Sequence, residues 1–350
     1  MSDAAGTGLL ARLDAGPVIC AEGYLFELES RGYLQAGAYV PEVLLEHPEA
    51  VEQLHREFVR AGSDVVEAFT YYAHREKLRL IGREGDLEPM NRQALAIAKR
   101  VAADSGALVA GNICNTNVFE PGDRASHDRC RAMFAEQVGW ATDAGVDFII
   151  GETFYYAQEA EIALGVMRQT GLPAVVNLAI PSGGRTWDDV DPATAAKRLE
   201  DGGADVVGLN CFRGPWTMLP LVEEVRAAVS CHVAALPVPY RTTAARPTFQ
   251  TLTDDGCPCS SPSGRPFPVA LDPFTCTRYE MAEFARRAVA LGVRFVGGCC
   301  GSEPHHIRAM AEALGRETAA SRYSPDMSKH YALGTDPSLQ PSNRELAARL

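Results

Sequence analysis

The sequence lacks any apolar run approaching the roughly 20 residues that span a bilayer. Its first residues lack a basic segment followed by an apolar stretch, so no signal peptide is expected. Ten cysteines in 350 residues are too few for a disulfide scaffold. Positive charge is also scarce, because 33 Lys and Arg face 45 Asp and Glu, for a net charge of −12. These features predict a cytoplasmic protein that binds neither membranes nor nucleic acid, whose phosphates an acidic surface repels.

No Gly-x-Gly-x-x-Gly follows an apolar run, which argues against a dinucleotide-binding fold. Instead, eight short apolar runs alternate with longer amphipathic stretches, the pattern of parallel strands covered by helices. The predicted strands are Val18–Gly23, Val65–Thr70, Ala107–Cys114, Asp147–Thr153, Pro173–Ile180, Asp205–Cys211, His232–Pro239 and Phe295–Cys300. The predicted helices are Pro48–Ala61, Met90–Asp104, Arg129–Ala144, Glu159–Thr170, Pro192–Gly202, Met218–Val229, Tyr279–Leu291 and Pro304–Leu314.

Eight such units favour a single (β/α)8 TIM barrel over residues 1–317, with an open doubly wound sheet as the alternative. Several predicted helices are followed by a Gly, as in Ala-Gly-Ser-Asp at 61–64, which suits the turn back to the sheet. Residues 241–275 predict a long loop after strand 7. Residues 318–350, the C-terminal extension, are either a flexible end or an arm that packs on a neighbouring subunit of a homo-oligomer.

Reactive side chains concentrate where the predicted strands end. The strand ends carry Glu22, Thr70, Tyr71, Tyr72, Asn115, Glu152, Cys211, Cys299 and Cys300. In (β/α)8 enzymes the active site lies at the carboxyl ends of the strands. The strand pattern and the chemistry therefore point to the same face of the barrel.

Three cysteines form the first candidate site. Cys211 ends strand 6, and Cys299 and Cys300 end strand 8 in Gly-Gly-Cys-Cys-Gly. Because alternate strands contribute to one interior layer, these thiols are expected to converge as a three-ligand zinc site with an open fourth position. The alternative is a set of buried apolar cysteines without metal.

Two other groups of potential metal ligands are not predicted to bind metal. Cys257 and Cys259 lie in the long loop without a matching pair, so no metal is predicted there. His305 and His306 follow Ser302, which predicts a helix start capped by the serine with two partly exposed histidines.

Acids and aromatics complete the predicted site. Glu152, and with it Glu22, ends an apolar strand, where a carboxylate needs a cation or hydrogen-bond donors. Each is either a salt-bridged structural acid or the binder of a substrate ammonium group. The aromatic residues near the strand ends are Tyr39, Tyr71, Tyr72, Phe154, Tyr155 and Tyr156. They are either core residues or a cage that holds a quaternary ammonium or sulfonium by cation–π attraction.

Several motifs of the sequence resemble those of a known family. Gly-Gly-Cys-Cys-Gly-x-Glu-Pro-x-His-Ile-Arg at 297–308 and Asn-Cys at 210–211 resemble the zinc-dependent homocysteine S-methyltransferases. Glu-His-Pro-Glu-Ala-Val at 46–51 and Met-Ser-Lys at 327–329 are similar to the betaine–homocysteine S-methyltransferase branch. The resemblance runs from about Val18 to Leu314.

The resemblance implies a (β/α)8 barrel with zinc (Zn2+) bound by Cys211, Cys299 and Cys300. It also implies that Glu152 holds the homocysteine amino group and that Tyr72 lies near zinc. The full predicted substrate-binding set is Glu22, Gly23, Tyr39, Thr70, Tyr71, Tyr72, Glu152 and Thr153, with Glu22, Tyr72 and Glu152 also predicted as catalytic.

Three positions depart from the family pattern. Ala21 stands where the family has an acid that contacts homocysteine, and Glu22 follows it. Tyr39 replaces a Trp and Thr153 replaces a Tyr on the donor side. These departures leave the methyl donor open.

The function predicted from these residues is zinc-dependent transfer of a methyl group from a betaine-like quaternary ammonium or sulfonium donor to homocysteine, giving methionine. One alternative is a methyltransferase or demethylase component that uses a different thiol or a corrinoid or pterin carrier as acceptor. A non-enzymatic alternative is a redox-sensing binding protein that uses the vicinal thiols.

Overall fold

The computed structural model describes residues 8–254 and 264–349, in which eight parallel strands close into a barrel. Neighbours in the chain are neighbours in the sheet, and β8 pairs with β1 from Val18 opposite Phe295 to Ala21 opposite Gly298. The strands are β1 (Val18–Ala21), β2 (Val65–Glu67), β3 (Leu108–Cys114), β4 (Phe148–Phe154), β5 (Ala174–Leu178), β6 (Val206–Asn210), β7 (His232–Leu236) and β8 (Phe295–Gly298). The predicted single (β/α)8 barrel is confirmed.

Thirteen α-helices lie in the described residues, and the longer ones surround the barrel. They are α1 (Leu9–Ala15), α2 (Tyr24–Ser30), α3 (Val43–Glu46), α4 (Pro48–Ala61), α5 (Arg75–Leu80), α6 (Leu87–Ser105), α7 (Arg124–Ala144), α8 (Ala157–Met167), α9 (Pro192–Asp201), α10 (Pro215–Ala228), α11 (Arg278–Ala290), α12 (Pro304–Ala313) and α13 (Pro341–Ala347). None of these helices has the length and apolar character that crossing a bilayer requires.

Element boundaries differ from the prediction in two ways. Most strands are shorter, because the last predicted residues turn out of the sheet to form the site. The helix expected from Arg129 begins at Arg124, because the Asp123 carboxylate accepts hydrogen bonds from the backbone of Ala125 and Ser126 and caps the helix there. The short helices α1, α2, α3 and α5 were not predicted, since fewer than eight residues show little periodicity.

A repeated turn joins helices to strands. Gly62, Gly145 and Gly203 have φ values of 115°, 69° and 95°, the left-handed conformation that glycine adopts without strain. Two residues after each of these glycines is an aspartate whose carboxylate bonds to the backbone near the start of the neighbouring strand. Asp64, Asp147 and Asp205 accept hydrogen bonds of 2.7, 2.7 and 2.9 Å from the backbone N–H groups of Ile19, Val109 and Ala174. The unit Gly-x-Asp therefore ties each turn to the strand beside it.

The barrel interior is layered from apolar to polar. A buried cluster joins Leu9 and Leu13 of α1 to the inward side chains of the strands, among them Val18 and Phe295. Side chains of a strand alternate between its two faces, so residues two positions apart share a face. Farther along the inward faces stand polar side chains. The barrel therefore has a closed apolar base and a polar mouth.

Two segments outside the repeating units bear on the site. The loop between β7 and α11 contributes Tyr240, Phe249, Leu252 and Leu271 to a buried cluster that also contains Cys211 and Cys299. The C-terminal extension returns along the barrel, where the backbone N–H of Ala320 donates to the carbonyl oxygen of Arg60 at 3.3 Å. It ends in the short helix α13.

Candidate active site

The structure brings together the three predicted zinc ligands. The Sγ atoms of Cys211 and Cys300 are 3.8 Å apart, and those of Cys299 and Cys300 are 3.9 Å apart. Disulfide-bonded sulfurs are about 2.05 Å apart, so these thiols are not bridged. Four sulfurs at about 2.3 Å from a tetrahedral zinc ion stand about 3.8 Å from one another. The spacing of the three thiols therefore fits a zinc ion.

The backbone around the cysteines is shaped to place them. Cys211 and Phe212 have φ values of 55° and 53°, which non-glycine residues adopt only at a cost. On β8, a Cβ atom at Gly297 would lie 1.8 Å from the carbonyl oxygen of Cys20, so only glycine lets the two strands pair. This strain and close approach hold Cys211 and Cys299 at the mouth rather than in the sheet.

The thiols polarise one another. Cys211 and Cys299 both donate weak S–H hydrogen bonds to the sulfur of Cys300. These bonds hold the pKa of Cys300 well below that of an ordinary thiol, whereas burial raises the pKa of Cys299.

Next to the thiols, three buried glutamates converge inside the barrel. Glu22 follows β1, Glu67 ends β2 and Glu152 lies on β4, and each is at most 5% exposed. Two asparagines bridge them. Asn112 Nδ2 donates to Glu67 Oε1 and, at 2.6 Å, to Glu152 Oε1. Asn210 Nδ2 donates to Glu152 Oε2 at 2.8 Å and to Glu22 Oε2 at 3.2 Å.

Burial raises the pKa of all three carboxyl groups. The pKa of Glu152 rises to about 7, by burial first and by the charge of Cys300 second. Burial, followed by repulsion from Glu152, raises the pKa of both Glu22 and Glu67 well above that of an ordinary glutamate. A group of carboxyls this close together binds protons unless a cation lies among them.

The smaller predicted residues support this arrangement. Thr153 has a φ of 58°, and its hydroxyl donates to Glu152 Oε2 at 3.2 Å. The Thr70 hydroxyl donates to the carbonyl oxygen of Asn112 at 2.7 Å, which ties the segment after β2 to β3. At Gly23 a Cβ atom would lie 2.0 Å from the carbonyl oxygen of Ser302, so glycine lets the turn after β1 reach the loop after β8.

Aromatic side chains form a wall at the mouth. The rings of Tyr71 and Tyr72 are 4.3 Å apart between centroids, and the hydroxyls of Tyr72 and Tyr155 are 3.5 Å apart. Tyr155 in turn stacks on Phe212, with centroids 5.1 Å apart. Tyr71, with Cys299 and Cys300, lines the cavity that contains the three glutamates, whereas Tyr72 does not.

The rest of the wall comes from other elements. Tyr39, with a φ of 54°, stacks on Phe26, which stacks on Phe249 of the loop after β7. Phe154 is different, because it is fully buried against Phe134 between β4 and α7. Tyr156 packs on Phe119, away from the cysteines. Of the three aromatics after Glu152, only Tyr155 therefore belongs to the wall.

The last helix begins at Pro304 as predicted, but the predicted cap and the predicted exposure of His306 were wrong. Glu303, not Ser302, precedes α12, and its backbone N–H donates to His306 Nδ1 at 3.1 Å. His306 is fully buried rather than partly exposed, and its Nε2 lies 2.9 Å from the carbonyl oxygen of Cys276. With both ring nitrogens engaged, His306 has no lone pair for a metal. Cys257 and Cys259 lie outside the described residues.

Three site residues were missed as candidates: Glu67, Asn112 and Asn210. Each shares a strand face with inward apolar residues, Glu67 with Val65 and Asn210 with Val206. Residues two positions apart on a strand share a face, so an acid or amide in step with inward apolar residues is predicted to point into the barrel. This spacing could have identified the three residues from the sequence. The three residues were missed because the predicted strands extend past them, to Thr70, Cys114 and Cys211.

A family model described as homocysteine S-methyltransferase matches residues 19–314. Betaine–homocysteine S-methyltransferase 1 of Danio rerio is 38% identical over 335 residues, which cover 93% of this chain and 79% of the relative. An S-methylmethionine–homocysteine S-methyltransferase of Mus musculus is 36% identical over 341 residues, which cover 95% of this chain and 88% of the relative.

A solved structure shares the fold. The metallated form of the homocysteine methyltransferase MmuM of Escherichia coli matches with a TM-score of 0.67 at 18% identity, over 86% of this chain and 98% of the other. At that identity the likeness concerns the barrel alone. The match over residues 19–314 and the similarity to the two relatives decide the classification. The chain belongs to the homocysteine S-methyltransferase family and is a methyltransferase.

Proposed function

We propose that this enzyme transfers a methyl group from a betaine-like quaternary ammonium or sulfonium donor to homocysteine, giving methionine. The observation that carries the proposal is the set of three cysteine sulfurs, two of whose separations are 3.8 and 3.9 Å, beside a cavity lined by carboxylates. A thiol-binding metal site and an ammonium-binding cavity are what an amino acid thiol requires.

Cys211, Cys299 and Cys300 would hold zinc, leaving one tetrahedral position for the acceptor. Zinc bound there would lower the pKa of the acceptor thiol, so that the thiolate predominates near neutral pH. The buried glutamates would hold the ammonium group of the acceptor, and burial beneath the aromatic wall would exclude water from its sulfur.

The aromatic wall of Tyr71, Tyr72, Tyr155 and Phe212 would hold the onium group with one methyl directed at the acceptor sulfur. The sulfur forms a bond to the methyl carbon while the bond from that carbon to the onium nitrogen or sulfur breaks. The bonding electrons stay with the leaving atom, and a neutral amine or thioether departs. Much of the acceleration would come from holding the two reactants in line.

The two relatives have names that specify different donors, betaine and S-methylmethionine. Tyr39 and Thr153 lie beside this part of the site, at the positions where the sequence departs from the betaine-using pattern. The donor test therefore includes glycine betaine, S-methylmethionine and dimethylsulfoniopropionate.

The experiment combines zinc quantification with this donor panel. The reduced protein is expected to contain about one zinc per chain and to form methionine, followed by mass spectrometry, from homocysteine and one of the donors. Cys299→Ser should lose both zinc and activity. Cys231→Ser, which changes a cysteine outside the site, should keep both.

Two outcomes would contradict the proposal. Reduced protein without zinc would exclude the metal-dependent mechanism and favour the thiol-sensor alternative. Zinc-containing protein that forms no methionine from any donor would exclude homocysteine as acceptor for these donors.

We also propose that the C-terminal extension joins subunits of a homo-oligomer. Tyr323, Met327, Tyr331, Leu333 and Leu346 are each at least 41% exposed. They make up half of the exposed large hydrophobic side chains among the described residues. Such a concentration in one short segment is typical of an interaction surface.

A further inference from the structure

Lys77 stands over one ring of the aromatic wall. Its Nζ atom lies 3.9 Å from the ring centroid of Tyr72, and the Tyr72 hydroxyl lies 3.5 Å from that of Tyr155. The other Arg side chains that stand over a ring do so at Tyr323 and Trp216, outside the wall. Among the described residues, Lys77 is therefore the one Lys or Arg that stands over a ring of the wall.

The turn between β2 and α5 positions both partners of this contact. His74 precedes the helix, and its Nδ1 accepts a hydrogen bond of 3.5 Å from the backbone N–H of Lys77. The ring of His74 packs edge-on against Tyr72, with centroids 5.7 Å apart. Tyr72 has a φ of 60°, and its backbone N–H donates to Cys114 Sγ at 3.4 Å. The same short segment thus holds the ring and directs the lysine over it.

Lys77 lacks the carboxylate partner that its neighbours in α5 have. Arg75 pairs with Glu136, and Arg79 pairs with Glu76 at 2.6 Å. Lys77 is half-buried, yet it forms no ion pair in the part of the chain that the structure describes. Burial lowers its pKa. A charge that is removed from water without a partner is costly, so this ammonium group indicates an anionic ligand.

Another cation next to the wall is engaged by the backbone. Arg213 follows Phe212, and its guanidinium donates to the carbonyl oxygens of Ile180 at 3.0 Å and Pro181 at 2.6 Å. A further hydrogen bond of 3.4 Å reaches the carbonyl oxygen of Thr217. These bonds tie the segment after β6 to the segment after β5. Lys77 is therefore the cation that a ligand of the wall can use.

We propose that Lys77 selects methyl donors that carry a carboxylate beside the onium group. A cation held by Tyr72 lies within about 6 Å of the ring centroid, so it stands at most about 10 Å from the Lys77 ammonium. Two positive charges at this range in a half-buried site repel each other. A carboxylate on the donor offsets both charges, whereas a donor without one leaves the repulsion. The inference rests on the proposed function, because it takes the wall to hold the onium group.

This selection defines the chemical class of the donor. Onium compounds with a carboxylate a few bonds from the onium atom are favoured, and simple ammonium or sulfonium cations are rejected although they carry the same methyl groups. The aromatic rings attract every onium group and cannot make this distinction. Repulsion of the wrong ligand by a like charge is a common source of specificity, and here Lys77 supplies it.

The test compares two sulfonium compounds on the zinc-loaded protein by isothermal titration calorimetry. Dimethylsulfoniopropionate and dimethylpropylsulfonium share the dimethylsulfonium group, and in the second a methyl group replaces the carboxylate. We expect the wild type to bind the carboxylated compound about 30-fold more tightly or better. It gains a charge-assisted hydrogen bond to Lys77 and avoids the repulsion between the two cations.

Variants of Lys77 test the residue assignment. Lys77→Met removes the charge and should weaken dimethylsulfoniopropionate about tenfold or more, strengthen the propyl compound about threefold and leave the zinc content unchanged. Lys77→Gln serves the same purpose if Lys77→Met does not fold. Lys77→Arg keeps the charge and should retain the preference. The matched control is Lys197→Met, which changes an exposed lysine paired with Glu200 and should leave both affinities unchanged.

The outcomes separate this inference from the proposed function. Affinities of the wild type within threefold of each other, or a preference that Lys77→Met and Lys77→Gln leave intact, would overturn the inference. Binding of neither compound would overturn it as well. Methyl transfer to homocysteine from both compounds with equal kcat/KM would support the proposed function and overturn the selection. A preference that Lys77→Met abolishes, without methionine from either compound, would support the selection and refute the proposed transfer.

Discussion

Asn210 and Thr153 are joined by two hydrogen bonds that run in opposite directions. The backbone N–H of Thr153 donates to Asn210 Oδ1 at 2.9 Å, and Asn210 Nδ2 donates to the Thr153 hydroxyl at 3.0 Å. The pair connects β4 to β6 across the barrel mouth, and Asn210 directly precedes Cys211. It also holds Thr153 in a left-handed conformation that costs about 1–3 kcal/mol. The position of a predicted zinc ligand thus depends on a neutral amide.

We therefore expect Asn210→Ala to weaken zinc binding about tenfold or more, as loss of a residue that orients a metal ligand commonly does. The free energy of unfolding should fall by about 2 kcal/mol, because buried partners lose their hydrogen bonds. Competition with a chromogenic chelator measures the first effect, and urea denaturation the second.

The control is Asn177→Ala. Asn177 is a fully buried asparagine of β5 whose side-chain atoms have no hydrogen-bond partner among the described residues. This variant should bind zinc like the wild type. An unchanged zinc dissociation constant in Asn210→Ala would contradict the role given to the amide.

Gly297 offers a second prediction, on the close contact between β8 and β1. A Cβ atom there would overlap the carbonyl oxygen of Cys20, so Gly297→Ala should destabilise the protein by about 3 kcal/mol. The shift of β8 should also reduce zinc content, since Cys299 follows two residues later. Thermal unfolding and metal analysis measure the two effects.

Gly165 in α8 is the matched glycine, because outside its own helix backbone and its chain neighbours a Cβ atom there meets no atom of the described residues within 4 Å. Gly165→Ala should leave zinc content unchanged and raise the free energy of unfolding by up to about 1 kcal/mol. Equal effects of the two substitutions would show that β8 tolerates a side chain at Gly297.

Buried histidines predict how stability depends on pH. Burial lowers the pKa of His55 to about 3, and burial and then the charge of Lys77 lower the pKa of His74 to about 3. In the unfolded chain a histidine has a pKa near 6.5, so between about 6.5 and 3 the unfolded state binds more protons. The stability that these two histidines contribute is therefore fully present above pH 6.5 and is lost as the pH falls toward 3. From pH 7 to 5.5 each histidine should cost roughly 1 kcal/mol.

Urea denaturation at these two pH values tests this prediction. Both ring nitrogens of His55 are buried and have no partner among the described residues. In His55→Leu, the loss of unfolding free energy from pH 7 to 5.5 should therefore be smaller by roughly 1 kcal/mol, the contribution of one histidine. His47→Gln changes an exposed histidine just before the same helix and is the surface control, which should have the stability of the wild type at pH 7. A pH dependence that His55→Leu does not change would contradict the prediction.

Removal of the C-terminal extension tests its proposed role in assembly. A chain ending at residue 317 should elute as a monomer in size-exclusion chromatography with light scattering, while the full chain elutes as an oligomer. It keeps Arg316, which pairs with Asp64 and so ties the end of the barrel to β2. We therefore expect the melting temperature of the truncated barrel to lie within a few degrees of that of a full-length variant that does not assemble.

The full-length reference is the double variant Tyr331→Ser with Leu333→Ser, which removes two exposed apolar side chains. It should also shift the assembly toward the monomer. A wild-type chain that is monomeric at all concentrations would contradict the proposal.

Local patterns in the sequence determined much of the fold. Near-continuous apolar runs and Gly-x-Asp turns recur along the chain because each unit needs a buried strand and a turn from its helix to the next strand. This repetition predicted the closed barrel. The reactive residues at the strand ends, Glu22, Glu152, Cys211, Cys299 and Cys300, followed from the same periodicity. The short helices did not, because one or two turns leave no period to detect.

What only the tertiary structure decided is which side chains face one another across the barrel. Glu67, Asn112 and Asn210 stand on three different strands, and each alone resembles an ordinary buried polar residue. Closure of the sheet directs them to one point, where the two amides bond to the carboxylates. Three oxygens of the group stay without a partner among the described residues. Hydrogen bonds have a short range and a strict geometry, so such pairings arise only when distant segments meet.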